Sequence, residues 1–466
     1  MPRRRSRIVL TENIFMRIEI LKRSAVMLYL TVVFSVFTIA QNTTSTLTGT
    51  TSDSDDILPG AVVKLTEVES GISYSAISNQ KGQFRITGLT PGGPYRLEVS
   101  YVGHKKSVID IKRISLGEVY SCNVELTTGN ELQEVIVKGQ AAALRKTGSA
   151  ESISAEDIDN KATVDRTLQD ILAMSPYYIG SGSFGGRDGG MNNYSIDGAN
   201  FNANMGLDRE KMPGAGTPFA LEALEDIQIV NSAFDVKNSN FMGATINAVT
   251  KKGTNTFRGS AYHFYKDESL RGNRVDGEEL TSPRGDIKRT IYGLTLGGPI
   301  IKDKLFFFVS AELENTPLQL HQWQASKDGV EDGKNLISRV TESDMKQFAS
   351  DLQSMYGWNP GSYNDFTGDN KFFRLMTRID WNISKYHKLT LRYNQTNGKK
   401  DNSYSSPGMG MNDGRVSIYS MVFDGSNWKK VDNVYSLTGE LNSRFGNNIT
   451  NTLRASFTFN DANNRE

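Results

Sequence analysis

Several segments in the carboxyl-terminal half of the chain alternate apolar and polar residues over about ten positions. In KLFFFVSAEL the odd-numbered residues from Leu305 to Leu313 are apolar, whereas Lys304, Ser310 and Glu312 are polar or charged. The same division recurs in FFRLMTRIDWNI, KLTLRYN, VYSLTGELN and TLRASFTF. A two-residue period indicates β-strands with one apolar face, and about ten residues is the length that a tilted strand needs to cross a bilayer. The segments therefore favour membrane-crossing strands.

Short turns and long loops connect these segments alternately. IIKDK, SKYH and RFGNN each join two strands, whereas long polar stretches at 315–370 and 395–433 separate the hairpins. Short turns on one side and long loops on the other are typical of outer-membrane β-barrels. The alternative is a soluble β-sandwich, but its strands usually have about five or six residues, and such long loops are uncommon inside compact domains.

We predict seven barrel strands, which lie near Phe257, Ile291, Phe307, Leu375, Leu391, Leu437 and Phe457. Single-chain bacterial barrels have an even number of strands. We therefore expect an incomplete barrel and interpret the chain as the amino-terminal fragment of a longer protein that continues beyond Glu466. Within the triple phenylalanine, the alternation places Phe307 on the lipid face and turns Phe306 and Phe308 towards the interior.

The amino terminus has the pattern of a secretory signal. Arg17, Lys22 and Arg23 precede the apolar run AVMLYLTVVFSVFTIA, which ends at Ala40 before the polar QNTTST. The run is shorter than the roughly 20 residues of a spanning helix. We predict a signal peptide over residues 1–40, with Met16 as a candidate true start. An uncleaved membrane anchor is the alternative.

The composition argues against several classes of function. Fifty-three basic and 52 acidic side chains give a net charge of +1, which disfavours nucleic-acid binding. The single cysteine, Cys122, permits no internal disulfide, and the four histidines are too widely separated for a zinc-site motif. No catalytic triad or carboxylate pair is indicated by spacing. We therefore predict no catalysis, no cofactor and no metal site.

Short alternating segments broken by turn residues run from Leu47 to Leu126 and indicate a small β-sandwich. Pro59-Gly60 precedes the strand-like AVVKL, and QKGQF has the pattern of a hairpin turn. These features resemble the carboxypeptidase regulatory-like domain, to which we assign residues 41–128. The resemblance implies a fold and no peptidase activity.

Residues 129–253 are predicted to form an α+β domain. Val164, Leu168 and Ile171 fall on one face of a helix, with Leu172 beside them, and the pattern stops before Pro176. Glycine-rich loops and two strand-like pieces, LEDIQIVNSAF and GATINAVTKKG, follow. Residues 254–466 contain the barrel strands, so the fold class is mainly β: a sandwich, an α+β domain and the start of a transmembrane β-barrel.

Taken in order, these features resemble a TonB-dependent outer-membrane receptor. The segments NNYSIDGANFN and GATINAVTKKGTNTFRG are similar to the plug of that family, although Ala244 replaces the second glycine of the usual pair. LGGPIIKDKLFFFVSAE resembles the first barrel hairpin of the Oar-like subgroup. The resemblance implies that residues 129–253 are a plug, which blocks a barrel of about 22 strands. The SusC-like glycan importers are the nearest neighbouring family.

The resemblance also implies functional residues. A TonB box, which adds as a strand to TonB, is expected at Glu134, Val135, Ile136 and Val137, with an ordinary linker strand as the alternative. Plug loops that face the lumen are candidate ligand contacts at Arg187, Asp188, Asn192, Asn193 and Asp197. For Asp197, a structural role in a turn is the favoured alternative.

The predicted function is TonB-dependent uptake of an unidentified ligand, such as a glycan, a peptide or another nutrient, and a role in protein export is an open alternative. The expected partners are TonB with its inner-membrane complex, outer-membrane lipid and, as a further candidate, an outer-membrane lipoprotein; no nucleic acid is expected. The expected location is the outer membrane of a Gram-negative bacterium, with the amino-terminal domain in the periplasm. A secreted β-sandwich adhesin or carbohydrate-binding protein is the alternative from another class.

Overall fold

The structure is a computed structural model of the 466-residue chain. It describes residues 43–129, 135–136, 148–202, 218–233, 243–279, 288–402 and 416–465, apart from single residues 55, 164, 181, 321 and 365 and the pair 447–448. The predicted signal peptide, and Glu134 and Val137 of the predicted TonB box, lie outside these residues.

The amino-terminal domain, residues 43–129, is a β-sandwich. Its strands are β1 Ser45–Ser52, β2 Val62–Glu67, β3 Ser73–Ile77, β4 Gln83–Leu89, β5 Tyr95–Ser100, β6 Ser107–Ile111, β7 Val119–Ser121 and β8 Val124–Glu125, with β9 Val135–Ile136 added from the following segment. One sheet has the order β4-β1-β7, with β8 also beside β1, and the other has the order β3-β2-β5-β6-β9. Alternate side chains of β1 and β5 are buried between the sheets.

The QKGQF segment forms the predicted hairpin turn ahead of β4. Asn79 Oδ1 accepts hydrogen bonds from the backbone amides of Lys81 and Gln83, both at 2.9 Å. Gly82 has a φ of +69°, in the left-handed region that favours glycine. The turn therefore requires an Asn and a Gly at these positions, which explains why it is legible in the sequence.

The middle domain, residues 148–202, 218–233 and 243–250, is α+β. Its strands are β10 Gly148–Ser154, β11 Tyr178–Gly180, β12 Ser183–Phe184, β13 Asn193–Ile196, β14 Ala199–Asn200, β15 Leu224–Ala233 and β16 Thr245–Thr250. The main sheet has the order β10-β15-β16-β13-β14, and β11 pairs with β12. A helix spans Leu168–Leu172, and all three of its buried residues are apolar.

The helix Leu168–Leu172 is shorter than its sequence pattern suggests, because the Thr167 side chain caps its first turn. Val164, the first residue of that pattern, lies outside the described residues. A second helix, Ala155–Asn160, was not predicted, although Ser154 and Asp157 form a capping box at its start.

The third part of the chain forms one large sheet of long strands and three small two-stranded sheets in its loops. Its elements are β17 Arg258–Lys266, β18 Arg274–Val275, β19 Glu278–Glu279, β20 Arg289–Ile301, β21 Leu305–Asn315, β22 Leu318–Gln319, β23 Gln324–Ser326, β24 Ile337–Thr341, β25 Thr367–Gly368, β26 Asn370–Asn382, β27 His387–Asn402, β28 Trp428–Phe445 and β29 Ile449–Arg465. Seven of them form the long-strand sheet, in the order β17-β20-β21-β26-β27-β28-β29. All its pairs are antiparallel, as predicted.

The predicted alternation is confirmed in β21. Phe306 and Phe308 are 0% and 5% exposed, whereas Leu313 is 56% exposed. Phe308 belongs to the apolar core of the middle domain, together with Met376 of β26. The middle domain therefore packs against the inner face of the long-strand sheet, and the opposite face carries Phe307.

The loops differ in part from the sequence expectation. The stretch predicted as a polar loop at 315–370 contains a 15-residue helix, Glu342–Tyr356, which is capped by Thr341 and ends at Gly357 with φ +66°. Strands β27 and β28 extend into the second predicted loop, 395–433, and shorten it. Among the described helices, none has the length and apolar character needed to cross a membrane.

Candidate functional site

The predicted ligand-contact residues of the middle domain have different environments. Arg187 and Asp188 are exposed, and Asp188 caps a short 3₁₀ turn through a 2.7 Å hydrogen bond from the Gly190 amide. Asn192 and Asn193 are buried. Asn192 donates to the Gly182 carbonyl at 2.7 Å and accepts from the Ala244 amide at 2.8 Å, so it organises the domain's own loops.

Asp197 is fully buried in the turn between β13 and β14, where its φ is +52°. Its carboxylate accepts hydrogen bonds from the amide of Thr250 at 3.1 Å and from the Thr250 hydroxyl at 2.9 Å. Arg392 of β27 lies 3.5 Å from the same carboxylate. This geometry corresponds to the structural role that sequence reasoning offered as the alternative to ligand contact.

A buried charge network lines the inner face of the long-strand sheet next to Asp197. Arg392 Nη1 donates to Glu440 Oε2 at 3.2 Å, and Arg454 Nη2 donates to the same oxygen at 2.9 Å. On β26, Arg378 forms an ion pair with Asp380 at 2.7 Å and donates to the Thr250 carbonyl at 2.8 Å. The network therefore connects the wall of the sheet to the end of β16 in the middle domain.

A second network lies further along the same face. Arg374 Nη1 donates to Glu312 at 2.8 Å and to Glu314 at 2.7 Å, and Arg289 pairs with Glu314 at 2.7 Å. All four side chains are largely buried. Their positions follow the alternation in the sequence, which indicates the polar face of each strand but not which charges pair.

The opposite face of the sheet is apolar and exposed. Large hydrophobic side chains more than 40% exposed occur along it, including Tyr292, Leu294, Leu296, Leu313, Ile379, Trp381, Leu391, Leu437 and Phe457. In a soluble protein the charged side chains would be exposed and the large apolar side chains would be buried. An apolar exterior around a charged interior is the arrangement of an outer-membrane barrel wall.

The described residues do not form a group of His, Cys, Asp or Glu suited to hold a metal ion. Cys122 is buried, and burial raises the pKa of its thiol, which disfavours the reactive thiolate. In the middle domain, burial raises the pKa of Glu225, although Arg113 opposes that shift. These groups are accounted for by packing and ion pairing.

The predicted TonB box is described at its two central residues. Val135 and Ile136 form β9, which pairs in parallel with β6 of the amino-terminal domain, opposite Ser107 and Val108. A linker strand docked on its neighbour, which sequence reasoning offered as the alternative to the TonB box, would make such a pairing, and the TonB box stays a prediction. Strand β6 is otherwise the edge of its sheet.

A cleft of about 1250 Å³ lies between the amino-terminal domain and the turns of the long-strand sheet. Threonine and serine side chains of β1, β3 and β4 line one wall, and Lys304, Lys385 and Arg444 line the other. Sequence reasoning did not identify this cleft, because its walls are at least 180 residues apart in the chain and neither carries a motif.

Comparisons with known proteins agree with this architecture. The outer membrane beta barrel domain matches residues 249–322, and the carboxypeptidase regulatory-like domain matches residues 46–127. The TonB-dependent transporter Oar of Myxococcus xanthus is 24% identical over 382 residues, which are 76% of this chain and 33% of Oar. The chain thus spans about a third of the length of this curated relative.

Similar solved structures include the outer-membrane transporter YddB of Escherichia coli, with a TM-score of 0.44 and 13% identity over 67% of this chain and 38% of YddB. The siderophore receptor PirA of Pseudomonas aeruginosa has a TM-score of 0.42 and 13% identity over 69% of this chain and 42% of PirA. From the domain matches and the Oar similarity, we conclude that the chain is a homologue of the TonB-dependent transporter Oar, located in the Gram-negative outer membrane, with a carboxypeptidase regulatory-like domain ahead of an outer-membrane β-barrel domain.

Proposed function

We propose that the protein takes up a ligand across the outer membrane with energy relayed through TonB. The observation that carries this proposal is the long-strand sheet, whose apolar exterior surrounds a charged interior that holds the middle domain. In this proposal the middle domain is the plug. Its boundaries, with the TonB box, are 129–253, between the amino-terminal domain at 41–128 and the barrel from 254 onward.

The proposed ligand is a glycan, a peptide or another nutrient, and the protein is not an enzyme. Of the predicted ligand contacts, the exposed Arg187 and Asp188 are the residues that we retain. Asn192, Asn193 and Asp197 are buried and bonded within the middle domain, so we assign them to its stability. The adhesin alternative is disfavoured because an exposed apolar face on such long strands has no role in a soluble β-sandwich.

The proposed TonB contact is Glu134 to Val137, which would leave β6 and add as a strand to TonB. Strand addition depends on backbone amides and suits a short β-prone segment. Among the described residues, β9 pairs with β6 at Val135 and Ile136, and this pairing would have to open before the segment could add to TonB. An outer-membrane lipoprotein stays a candidate second partner.

The test is photo-crosslinking in cells that make the full-length protein. A photoreactive amino acid replaces Ile136, or Val119 as a control, since Val119 is an exposed β-branched residue of the same domain. We expect a TonB adduct from position 136 in cells with TonB, none in cells without it, and none from position 119. Absence of the adduct, with the protein recovered in the outer membrane, would overturn the proposed energy coupling.

A further inference from the structure

The amino-terminal domain reaches all three short turns of the long-strand sheet, through Asn255 at the first turn and directly beside the other two. Asn255, which precedes β17, donates its amide to the Glu69 carbonyl at 3.0 Å, and its side chain donates to Asp303 in the β20–β21 turn at 2.7 Å. Lys388, next to the β26–β27 turn, donates to Thr90 at 3.0 Å. The Thr87 and Thr450 hydroxyls, the latter in the β28–β29 hairpin, are 3.2 Å apart. The contact thus extends along the whole turn side of the sheet.

One anchor of this domain reaches the middle domain. Arg113 Nη2 lies 2.9 Å from Asp226 Oδ2 and donates to the Glu225 carbonyl at 2.8 Å. Asp226 is fully buried and also accepts from the Leu116 amide at 3.1 Å. Gln228, on the same strand, donates to the Leu116 carbonyl at 2.9 Å. Strand β15 is therefore bound to the 113–116 segment by charge-assisted bonds, which are the stronger kind.

A second anchor reaches the connection between the middle domain and β17. Lys252 forms an ion pair with Glu67, which is 1% exposed. Ser70 donates a 2.6 Å hydrogen bond to the second oxygen of Glu67. A carboxylate so deeply buried is stable only while its cation stays in place. Lys252 therefore fixes the end of the middle domain to the amino-terminal domain.

A third anchor reaches the wall of the long-strand sheet. The Thr43 hydroxyl donates to Glu440 Oε2 at 3.0 Å and accepts from Arg454 Nη2. Glu440 is the carboxylate that also pairs with Arg392 in the interior network. The first described residue of the amino-terminal domain is therefore part of the same buried charge network as the wall.

These anchors have a mechanical consequence. The amino-terminal domain has its own apolar core and so moves as one body. It is bound to the middle domain through Arg113 and to the sheet through Thr43. Any displacement of the middle domain relative to the sheet must therefore break at least one of the two anchors. In addition, β9 lies in the chain between this domain and β10, so a pull on that segment after it has left β6 is transmitted to this domain as well as to the middle domain.

We propose that the amino-terminal domain is a lock, which holds the middle domain against the sheet at rest and is released when the β9 segment is pulled. This inference rests on the proposed function, because the pull is attributed to TonB. The domain thus has a regulatory role within the same chain, beyond carrying the TonB contact. The Arg113–Asp226 pair is the anchor that we test first, since removal of Arg113 leaves the buried Asp226 carboxylate without its cation.

The test is disulfide trapping in the full-length protein in cells. Thr87→Cys with Thr450→Cys replaces two hydroxyls that are 3.2 Å apart, and the chain's one native cysteine, Cys122, is buried. After mild oxidation, mass spectrometry measures the fraction of the two peptides joined by a disulfide. In the parent double-cysteine protein, we expect most molecules to have the two peptides joined by a disulfide. When Arg113→Ala or Glu67→Gln is added, we expect the disulfide-joined fraction after brief oxidation to be at least fivefold lower.

The matched control is Arg96→Ala, because Arg96 pairs with Asp110 inside the same domain at 3.0 Å and both side chains are about half exposed. We expect that variant to stay within twofold of the parent. Heat-modifiable gel mobility checks that every variant folds. A low joined fraction in the parent, or no change with Arg113→Ala in folded protein, would overturn docking by these anchors.

A comparison of cells with and without TonB tests the release of the amino-terminal domain separately from the proposed uptake function. Release by pulling predicts slower disulfide formation when TonB is active than when it is absent. Equal rates of disulfide formation in the two kinds of cell, together with a lower joined fraction in Arg113→Ala, would support docking of the amino-terminal domain. The same result would overturn its release by pulling. Failure of docking itself leaves the TonB adduct at position 136 as the independent measure of energy coupling.

Discussion

Thr250 donates two hydrogen bonds to the carboxylate of Asp197, from its amide at 3.1 Å and its hydroxyl at 2.9 Å. This contact joins the turn after β13 to the end of β16, and it faces Arg392 of the long-strand sheet. The pair therefore stabilises both the middle domain and its seat against the wall.

Asp197→Ala is expected to destabilise the middle domain, at about 1–3 kcal/mol for each buried donor, because the Thr250 amide and hydroxyl lose their acceptor. In addition, a non-glycine residue with φ +52° loses a side chain that suits this conformation. Asp197→Asn keeps the conformation and should cost less. Hydrogen exchange of the β13 and β16 amides measures the change. The exposed Asp188→Ala is the control, at about 1 kcal/mol. Equal losses at both positions would contradict the assignment.

Leu437→Lys is expected to impair membrane insertion. Leu437 is 55% exposed on the apolar face near the middle of β28, where a lysine costs about 2–4 kcal/mol in a bilayer. Phe445→Lys, at the turn end of the same strand and 53% exposed, should cost only about 0–1 kcal/mol. Folding into lipid vesicles, followed by heat-modifiable mobility, compares the two. A larger insertion defect in Phe445→Lys than in Leu437→Lys would contradict the placement of Leu437 nearer the middle of the bilayer.

Gly253→Ala is expected to destabilise the junction between the middle domain and the sheet. An added Cβ would lie 2.3 Å from the Phe307 carbonyl oxygen and 2.7 Å from that of Gly298. Because both are backbone atoms that cannot rotate away, we expect a loss of about 1–3 kcal/mol. The temperature at which gel mobility shifts should fall. Gly272→Ala, with open space around the added carbon, should leave it unchanged.

The turn that contains His104 should lose stability as the pH rises. His104 Nε2 lies 2.9 Å from Asp53 Oδ2, and this hydrogen bond raises the pKa of His104 above 6.5. A raised pKa means that the stabilisation is complete below the unfolded value and is lost as the pH passes the folded value. Protection factors of the 101–106 amides should therefore fall above pH 6.5. His104→Asn should remove that pH dependence; a parent protein with none would contradict it.

The alternation of the long strands was predictable because the two faces of each strand meet opposite environments. That rule alone predicts that Phe306 and Phe308 point inward and Phe307 outward, and the structure confirms the burial of Phe306 and Phe308. The hairpin turn at Asn79 and Gly82 was predictable for a different reason, since its geometry requires those residue types.

The helix Glu342–Tyr356 was missed although its local signals are present. Thr341 and Asp344 form a capping box, and Gly357 ends the helix in the left-handed conformation. The polar composition of the segment concealed them. By contrast, no local pattern could have paired Arg113 with Asp226, because 113 positions separate them and the contact exists only once two domains have docked.

The connection between β16 and β17 has seven residues, 251–257. Fully extended, it reaches no more than about 28 Å. The middle domain is therefore tied to β17 by a connection that is shorter than the hydrocarbon core of a bilayer is thick, which is about 30 Å. In the proposed uptake, the ligand would therefore have to pass while the middle domain stays within reach of β17, either beside that domain or after it has partly unfolded.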